Sequence, residues 1–201
     1  PLSVTLSPLA AMSVKPSSSA TRQLSRIKVI SMGEERVGKS CLIKRFCEEK
    51  FVDKYVPTIG IDFGVKPVSV EQSGTVRINF WDMAGGSEYY AVRSEFYPDA
   101  QGAMLVFDVC NKASFDKLGT WMKEARVHGA PSSMCYVVCG NKTDASRRRT
   151  IPEAEGRRFA SEIGAPYYET SAKDGSGVVP MFEDLFKRVC VARASALSGD
   201  Q

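Results

Sequence analysis

The sequence is poor in residues that bind metals through nitrogen or sulfur. It contains a single histidine, His128, and six cysteines, none of which forms a Cys-x-x-Cys pair. A structural zinc site uses four Cys or His ligands at such short spacings, so the sequence predicts no zinc site. Several cysteines stand in apolar runs, which is typical of buried, reduced thiols in a cytosolic-type protein.

The sequence also lacks long apolar runs and a strong excess of one charge. No apolar stretch reaches the length of a membrane span. The net charge is only +4, and the single dense basic run, at residues 147–149, is typical of a solvated loop. The composition therefore argues against a membrane-spanning or nucleic-acid-binding protein, and it predicts a protein of the cytoplasm, the nucleus or another soluble compartment.

Acidic residues are absent from residues 1–25, which are rich in Ser, Ala and Pro. This bias predicts a disordered tail, although a Ser-rich, acid-free leader also faintly resembles a transit peptide. The remaining length suits one globular domain over residues 26–194, followed by a short tail at 195–201. We expect this domain to be a monomer.

A phosphate-binding motif is present near the start of the predicted domain. Residues 33–40 are Gly-Glu-Glu-Arg-Val-Gly-Lys-Ser, which matches G-x-x-x-x-G-K-S. An apolar, β-branched run at 26–32 precedes the motif and a helix-like run at 41–50 follows it, which is the context that a P-loop needs. Lys39 would contact the β- and γ-phosphates, and the Ser40 hydroxyl would bind Mg²⁺. The alternative is a chance glycine-rich turn with an exposed lysine.

Hydrophobic periodicity and turn signals predict an α/β domain. A loop at 51–60, broken by Pro57 and Gly60, leads into an antiparallel hairpin, after which buried strands alternate with helices. This alternation predicts a doubly wound sheet. The predicted strands are 26–32, 61–70, 76–81, 103–109, 135–140 and 166–170, and the predicted helices are 41–50, 115–128, 152–163 and 178–194.

Polar motifs follow three of the predicted strands. They are Asp-Met-Ala-Gly at residues 82–85, Asn-Lys-Thr-Asp at 141–144 and Ser-Ala-Lys at 171–173. In doubly wound sheets, ligands bind beyond the carboxyl ends of the strands, so we expect these motifs to share one face with the P-loop. Asp82 could hold Mg²⁺ through a water molecule, or it could simply begin a turn.

The segment at residues 141–144 resembles the guanine-reading motif of Ras-like small GTPases. The resemblance extends from about residue 25 to 194, and the runs at 26–33, 37–41 and 80–85 are most similar to the RJL subfamily of Rab-like GTPases. It implies a P-loop NTPase small G domain, with a mixed six-stranded sheet, mostly parallel with one antiparallel hairpin strand, flanked by about five helices. Some RJL proteins carry a J domain. Its His-Pro-Asp motif is absent here, which predicts a J-less form or a fragment.

The resemblance implies GTP or GDP and Mg²⁺ as cofactors, and it assigns roles to residues. Asp144 would accept two N–H bonds from the guanine edge, a donor pair that adenine lacks. Phe51 would pack on the base, and the Ala172 N–H would meet the guanine oxygen. The expected nucleotide contacts are Glu35, Val37, Gly38, Lys39, Ser40, Cys41, Phe51, Thr58, Gly85, Asn141, Lys142, Asp144, Ser171, Ala172 and Lys173; the expected Mg²⁺ ligands are Ser40, Thr58 and Asp82; the expected catalytic residues are Lys39, Thr58 and Gly85.

Two residues depart from the family pattern. In the resemblance, Thr58 belongs to the loop called switch I, and the motif at residues 82–85 belongs to switch II. Small GTPases usually have a glutamine after the glycine of that motif, where it orients the attacking water, but this chain has Gly86. Glu35 stands where many Ras proteins have a glycine beside the γ-phosphate, and its side chain either crowds that site or turns to solvent. We therefore expect a GTP-binding switch with slow intrinsic hydrolysis. The alternative is a pseudo-GTPase scaffold that holds guanine nucleotide without turnover, while Asp144 disfavours an ATP-using P-loop enzyme.

The expected partners are effectors, exchange factors and activating proteins in signalling or intracellular trafficking. Effectors would dock on the hairpin and the switch regions, with Trp81 as the best candidate for the surface. Cys190 lies too far inside the chain for a C-a-a-X site, so no lipid anchor is expected in this sequence. The aromatic residues that could form the docking patch are Phe63, Trp81, Tyr89, Tyr90 and Tyr97, and the alternative for some of them is a place in the core.

Overall fold

The strands form one mixed sheet. The computed structural model describes residues 25–199, and side chains from 26 to 196. Strand order is β2-β3-β1-β4-β5-β6, and β2–β3 is the one antiparallel pair within this described part. The tail predicted for residues 1–25 lies outside the described residues, apart from Ser25, the first residue of β1. The strands are β1 Ser25–Met32, β2 Ile61–Val70, β3 Gly74–Met83, β4 Gly102–Asp108, β5 Cys135–Asn141 and β6 Tyr167–Thr170.

Helices cover the sheet on both faces. The described residues contain six α-helices, where about five were expected, together with two short 3₁₀ segments. The shortest two α-helices have five residues each. The α-helices are α1 Lys39–Glu48, α2 Tyr90–Ser94, α3 Lys112–Asp116, α4 Leu118–Val127, α5 Glu153–Glu162 and α6 Val178–Gly199, and the 3₁₀ segments are Ser87–Tyr89 and Thr143–Arg148.

The helix predicted at residues 115–128 is divided into α3 and α4. Helix α3 begins earlier than predicted because the side chain of Asn111 caps it, accepting the Ser114 backbone N–H at 3.3 Å. Lys117 separates the two helices. The amphipathic stripe indicated the existence of helix here, but the capping residue lay outside the predicted bounds.

Helix α6 extends further than predicted. Its expected end was residue 194, with a short tail at 195–201, but the helix continues to Gly199. No proline or glycine interrupts residues 181–198, so the chain contains no strong helix breaker there. Neither α6 nor any other helix within residues 25–199 has the length and apolar character needed to cross a membrane.

The sheet separates two apolar clusters. Val29 belongs to the cluster that packs under α1 and α6, whereas the next residue, Ile30, belongs to the cluster under α4 and α5. This alternation follows from the pleat of β1. Phe46 of α1 contacts Phe182 of α6 with ring centroids 4.7 Å apart. The helix that follows the P-loop is therefore anchored in the core through its apolar face.

Tyr97 is buried, so of the two alternatives left open for the five aromatic residues it belongs to the core and not to an exposed patch. Its side chain is inaccessible, and its hydroxyl donates to Glu124 Oε1 at 2.7 Å. Burial and this carboxylate raise the pKa of Tyr97. Trp81 is half-buried between Phe63 and Phe96, with ring centroids 4.7 Å and 4.9 Å away. Phe63, at the outer edge, is 50% exposed.

A buried ion pair joins α2 to α4. Arg93 Nε and Nη2 donate to the two carboxylate oxygens of Glu124 at 2.6 Å and 2.9 Å. The side chains are only 6% and 9% exposed, and the guanidinium also lies 4.3 Å from the centroid of the Trp121 ring. Since the pair is bidentate and shielded from water, loss of one partner would leave the other as a buried, uncompensated charge.

We predict that Glu124→Ala lowers the free energy of unfolding by about 3–5 kcal/mol, because Arg93 would remain buried without its carboxylate. Urea unfolding of the purified protein measures this change. Glu162→Ala is the matched control, because Glu162 pairs with Arg158 on the exposed face of α5, and we expect it to cost less than about 1 kcal/mol. Equal effects of the two substitutions would show that burial adds nothing to the Arg93–Glu124 pair.

Candidate functional site

The two glycines of the P-loop have positive φ angles and no room for a side chain. Gly33 has φ 136°, and a Cβ there would lie 2.2 Å from the Val106 carbonyl oxygen. Gly38 has φ 100°, and its Cβ would lie 2.4 Å from Asn141 Nδ2. Glycine is therefore required at both positions, since other residues avoid this conformation and would clash. The loop backbone consequently lies directly against β4 and the end of β5.

Lys39 follows the loop as the first residue of α1, and its side chain is buried. Its Nζ donates to the carbonyl oxygens of Gly33 and Glu34 at 2.7 Å and 2.9 Å. Burial lowers the pKa of Lys39 to about 8, while the charges of Asp82 and Glu34 partly oppose that shift. The ammonium group contacts neutral carbonyl oxygens, so a phosphate oxygen at the N-terminal end of α1 would give it a negatively charged partner.

The expected metal ligands converge. Ser40 Oγ and Thr58 Oγ1 are 2.9 Å apart, and Thr58 Oγ1 lies 3.5 Å from Asp82 Oδ2. The Asp82 carboxylate is buried and accepts the Ser31 hydroxyl at 2.7 Å. Burial raises the pKa of Asp82, opposed by hydrogen bonds from Ser40 and Ser31. Two hydroxyls and a carboxylate form an all-oxygen set of the kind that Mg²⁺ prefers, so these residues fit that ion.

Asn141 connects three segments around the other end of the site. Its Nδ2 donates to the Val37 carbonyl at 2.8 Å, and its Oδ1 accepts the Thr170 hydroxyl and the Ala172 backbone N–H, both at 3.2 Å. The side chain is buried. In this structure the Ala172 N–H thus points to Asn141, whereas the family resemblance assigned it to the guanine oxygen.

The remaining motif residues are held by their neighbours. Ser171 Oγ donates to Asp144 Oδ1 at 2.8 Å and fixes the carboxylate that was predicted to select the base. Lys142 has φ 70°, and its Nζ lies 2.6 Å from Asp108 Oδ2. Asp108 Oδ1 in turn accepts the Cys110 backbone N–H at 2.9 Å. The base-reading segment is therefore oriented by the end of β4 as well as by β5 and β6.

A cavity of about 490 Å³ lies between these motifs. Of the predicted contacts, Val37 and Ser171 do not line it, but act from behind through the bonds to Asn141 and Asp144. Asp82 does not line the cavity either; it lies behind Thr58, which does line it. The predicted contacts that line the cavity are Glu35, Gly38, Lys39, Ser40, Cys41, Phe51, Thr58, Gly85, Asn141, Lys142, Asp144, Ala172 and Lys173.

Sequence reasoning missed two residues that position this site. Asp108 is an acidic residue at the end of a buried strand, which is the same signal that indicated Asp82, so it could have been found. Arg45 of α1 donates from Nε to the Ala172 carbonyl at 2.8 Å and from Nη2 to the Lys173 carbonyl at 2.5 Å. Its partners lie 127 and 128 residues away in sequence, and no local pattern indicates such a contact.

Sequence reasoning also missed a contact between two residues that line the cavity. The Arg36 guanidinium carbon lies 4.5 Å from the centroid of the Tyr55 ring. Arg36 belongs to the P-loop, whereas Tyr55 belongs to the loop at residues 51–60, and both line the cavity. A cation–π contact of this kind joins the two loops across the space where a phosphate chain would lie.

Comparison with known proteins agrees with this geometry. The sequence profile described as the Ras family matches residues 28–191, most of the chain. The chain belongs to the Ras family. Membership supports guanine-nucleotide binding, with Mg²⁺, and GTPase activity as the general properties of this domain. The predicted fold, a six-stranded, mostly parallel sheet with one antiparallel pair, is confirmed.

Several curated proteins similar to this chain carry the name DnaJ homolog subfamily C member 27. The Gallus gallus protein is 46% identical over 178 residues, covering 87% of this chain and 65% of the relative. The Mus musculus protein is 49% identical over 165 residues, covering 80% and 60%, and the Danio rerio protein is 47% identical over 168 residues, covering 82% and 61%. These names confirm the predicted similarity to the Rab-like RJL subfamily, and the chain spans about three-fifths of the relatives' length.

We predict that the Arg36–Tyr55 contact slows nucleotide release. Arg36→Ala and Tyr55→Ala should each speed release of a fluorescent GDP by roughly two- to fivefold, which corresponds to about 0.5–1 kcal/mol for an exposed cation–π contact. The double substitution should be no faster than either single one, because both remove the same contact. Tyr55→Phe keeps the ring and should release GDP at the wild-type rate. Fully additive effects of Arg36→Ala and Tyr55→Ala would contradict a shared contact.

Proposed function

We propose that this domain is a GTP-binding molecular switch of the Rab-like type with slow intrinsic hydrolysis. The observation that carries the proposal is that one cavity is bounded by a buried P-loop lysine at one end and by Asp144, oriented by Ser171, at the other. The first group suits a phosphate chain and the second suits the N–H pair of a guanine base. A nucleoside triphosphate has these two features at opposite ends.

Each wall of the cavity has a task in this proposal. Lys39 and the N-terminal end of α1 bind the β- and γ-phosphates. Ser40 and Thr58 would hold Mg²⁺ directly and Asp82 would hold it through a water molecule; the ion would neutralise charge that develops on the phosphates. In this proposal the γ-phosphate orders the segment that carries Thr58, whose hydroxyl lies 2.9 Å from that of Ser40.

The departures at Gly86 and Glu35 support slow turnover. Gly86 cannot itself orient water, since it has no side chain. A Cβ at Gly85 would lie 2.2 Å from the backbone nitrogen of Glu35, so the P-loop and the switch II segment are in close contact here. The Glu35 side chain is exposed and lines the cavity. The same two positions are also the argument for the second candidate, a pseudo-GTPase scaffold that holds guanine nucleotide without turnover, but the intact Lys39, Ser40 and Thr58 oppose it.

We further propose that protein partners dock on the outer face of β2 and β3. The tilted rings of Phe63 and Trp81 pack together there beside Phe96, and Phe63 and Val65 are about half exposed. An exposed aromatic and aliphatic row of this kind is typical of a protein interface. Effectors, exchange factors and activating proteins in the cytoplasm are the proposed partners, because this face adjoins both switch segments.

The first test is base selectivity. Wild-type protein should bind GDP far more tightly than ADP, because the Asp144 carboxylate would be left unpaired by adenine. Asp144→Asn should shift the preference from GDP toward XDP, whose edge replaces a donor by an acceptor. Asp53→Asn removes the same charge from another part of the cavity lining, and we expect it to leave the base preference unchanged. Titration with labelled nucleotides measures these affinities, and equal ADP and GDP binding by the wild type would remove the proposed function.

The second test separates the switch from the scaffold. Wild-type protein preloaded with GTP should release phosphate at or below the order of 10⁻⁴ s⁻¹, the intrinsic rate of Ras itself. The measurement is phosphate release under single turnover with excess Mg²⁺. Bound GTP that remains intact over several days would favour the scaffold, whereas hydrolysis well above the Ras rate would contradict the proposed effect of Gly86.

A further inference from the structure

The space that a side chain on residue 86 would occupy is filled by Glu88. A Cβ placed on Gly86 would lie 2.4 Å from Glu88 Oε2 and 2.5 Å from Glu88 Oε1. Gly86 has φ −68°, an ordinary extended conformation, so its backbone does not require glycine. Because residue 86 has no side chain, space is left beside its backbone, and the Glu88 carboxylate occupies that space.

The backbone of this segment is held in place. Arg93 Nη1 donates to the Gly86 carbonyl at 2.6 Å, and the Tyr89 backbone N–H donates to the same oxygen at 3.2 Å. Arg93 is itself fixed by its bidentate pair with Glu124. The 3₁₀ turn at Ser87–Tyr89 therefore starts from a fixed peptide, and this places Glu88 two residues further on, folded back over Gly86.

Glu88 lines the same cavity as Lys39, Thr58 and Gly85. It also borders a second cavity beside Glu34, Glu35, Arg93 and Lys117. Glu35 and Gly85 also border both cavities, so in the proposed function the carboxylate lies near the γ-phosphate and the attacking water. A carboxylate has two oxygens that accept hydrogen bonds, and positioned carboxylates commonly orient or activate water in enzymes.

We propose that the Glu88 carboxylate orients the attacking water during GTP hydrolysis, in the place of the side chain that residue 86 lacks. The inference rests on the proposed function. The water oxygen forms a bond to the γ-phosphorus while the bond from that phosphorus to the β–γ bridging oxygen breaks, giving GDP and inorganic phosphate. The proton lost by the water leaves with the phosphate product, so Glu88 accepts a hydrogen bond and ends the reaction as a carboxylate.

The test compares phosphate release from preloaded wild type, Glu88→Gln and Glu88→Ala under single turnover. Glu88→Ala should be about tenfold slower than the wild type, and Glu88→Gln should lie between them, because its amide keeps one acceptor oxygen. GDP dissociation should be the same for all of these proteins, since a general loss of structure would change both rates. Glu95→Ala removes an exposed acidic side chain that lines neither cavity, and it should hydrolyse GTP like the wild type.

Restoring a side chain at residue 86 gives an independent check. A glutamine there would displace the Glu88 carboxylate and could orient water itself. In a Gly86→Gln background, Glu88→Ala should therefore change the hydrolysis rate by less than twofold.

Two results would overturn the Glu88 assignment. One is a Glu88→Ala protein that hydrolyses GTP as fast as the wild type. The other is a wild type that binds GTP but releases no phosphate, which would leave the nucleotide-binding part of the proposed function intact. Loss of guanine binding itself is detected separately, by the titration with GDP and ADP.

Discussion

The site depends most on one buried amide, the side chain of Asn141. It donates to the Val37 carbonyl of the P-loop and accepts from Thr170 and Ala172, so three segments share one anchor. Gly38 completes the arrangement, because a Cβ there would collide with Asn141 Nδ2. Each partner therefore requires the other: the amide needs glycine opposite it, and the loop needs the amide to hold its carbonyl. A buried network of this kind fixes one geometry because every member must be satisfied.

The electrostatics of the cavity indicate what it is built to receive. Lys39 and Asp82 are both buried, and burial favours the neutral form of each side chain. It therefore lowers the pKa of Lys39 and raises the pKa of Asp82. The two charges attract each other without a direct ion pair, because the Lys39 ammonium group donates to carbonyl oxygens instead. A phosphate chain beside the lysine and a cation beside the aspartate would remove both desolvation costs together. Both burials are compatible with the guanine nucleotide and Mg²⁺ that the Ras family binds in general.

Much of the fold could be predicted from sequence because its signals are local or periodic. The buried strands, their order of alternation with helices and the motifs at strand ends follow from apolar runs, glycines and the rule that ligands bind at carboxyl ends. Contacts between distant segments could not be predicted. Nothing in the sequence indicates that Tyr97 turns inward to Glu124, or that Arg45 reaches the carbonyls of Ala172 and Lys173. Those outcomes depend on packing between segments that are distant in sequence, which local pattern does not encode.

Glycine occurs at the two adjacent positions 85 and 86 of the switch II segment for different structural reasons. Gly85 is required by contact, since its Cβ would lie 2.2 Å from the Glu35 backbone nitrogen. At Gly86, by contrast, the three atoms nearest to a Cβ all belong to the flexible end of the Glu88 side chain. A side chain could therefore be accommodated at residue 86 if Glu88 moved aside, so the loss of a side chain there and the inward position of Glu88 are coupled. Because Arg93 fixes the Gly86 carbonyl independently of residue 86's side chain, the turn keeps its shape whichever residue supplies the polar group.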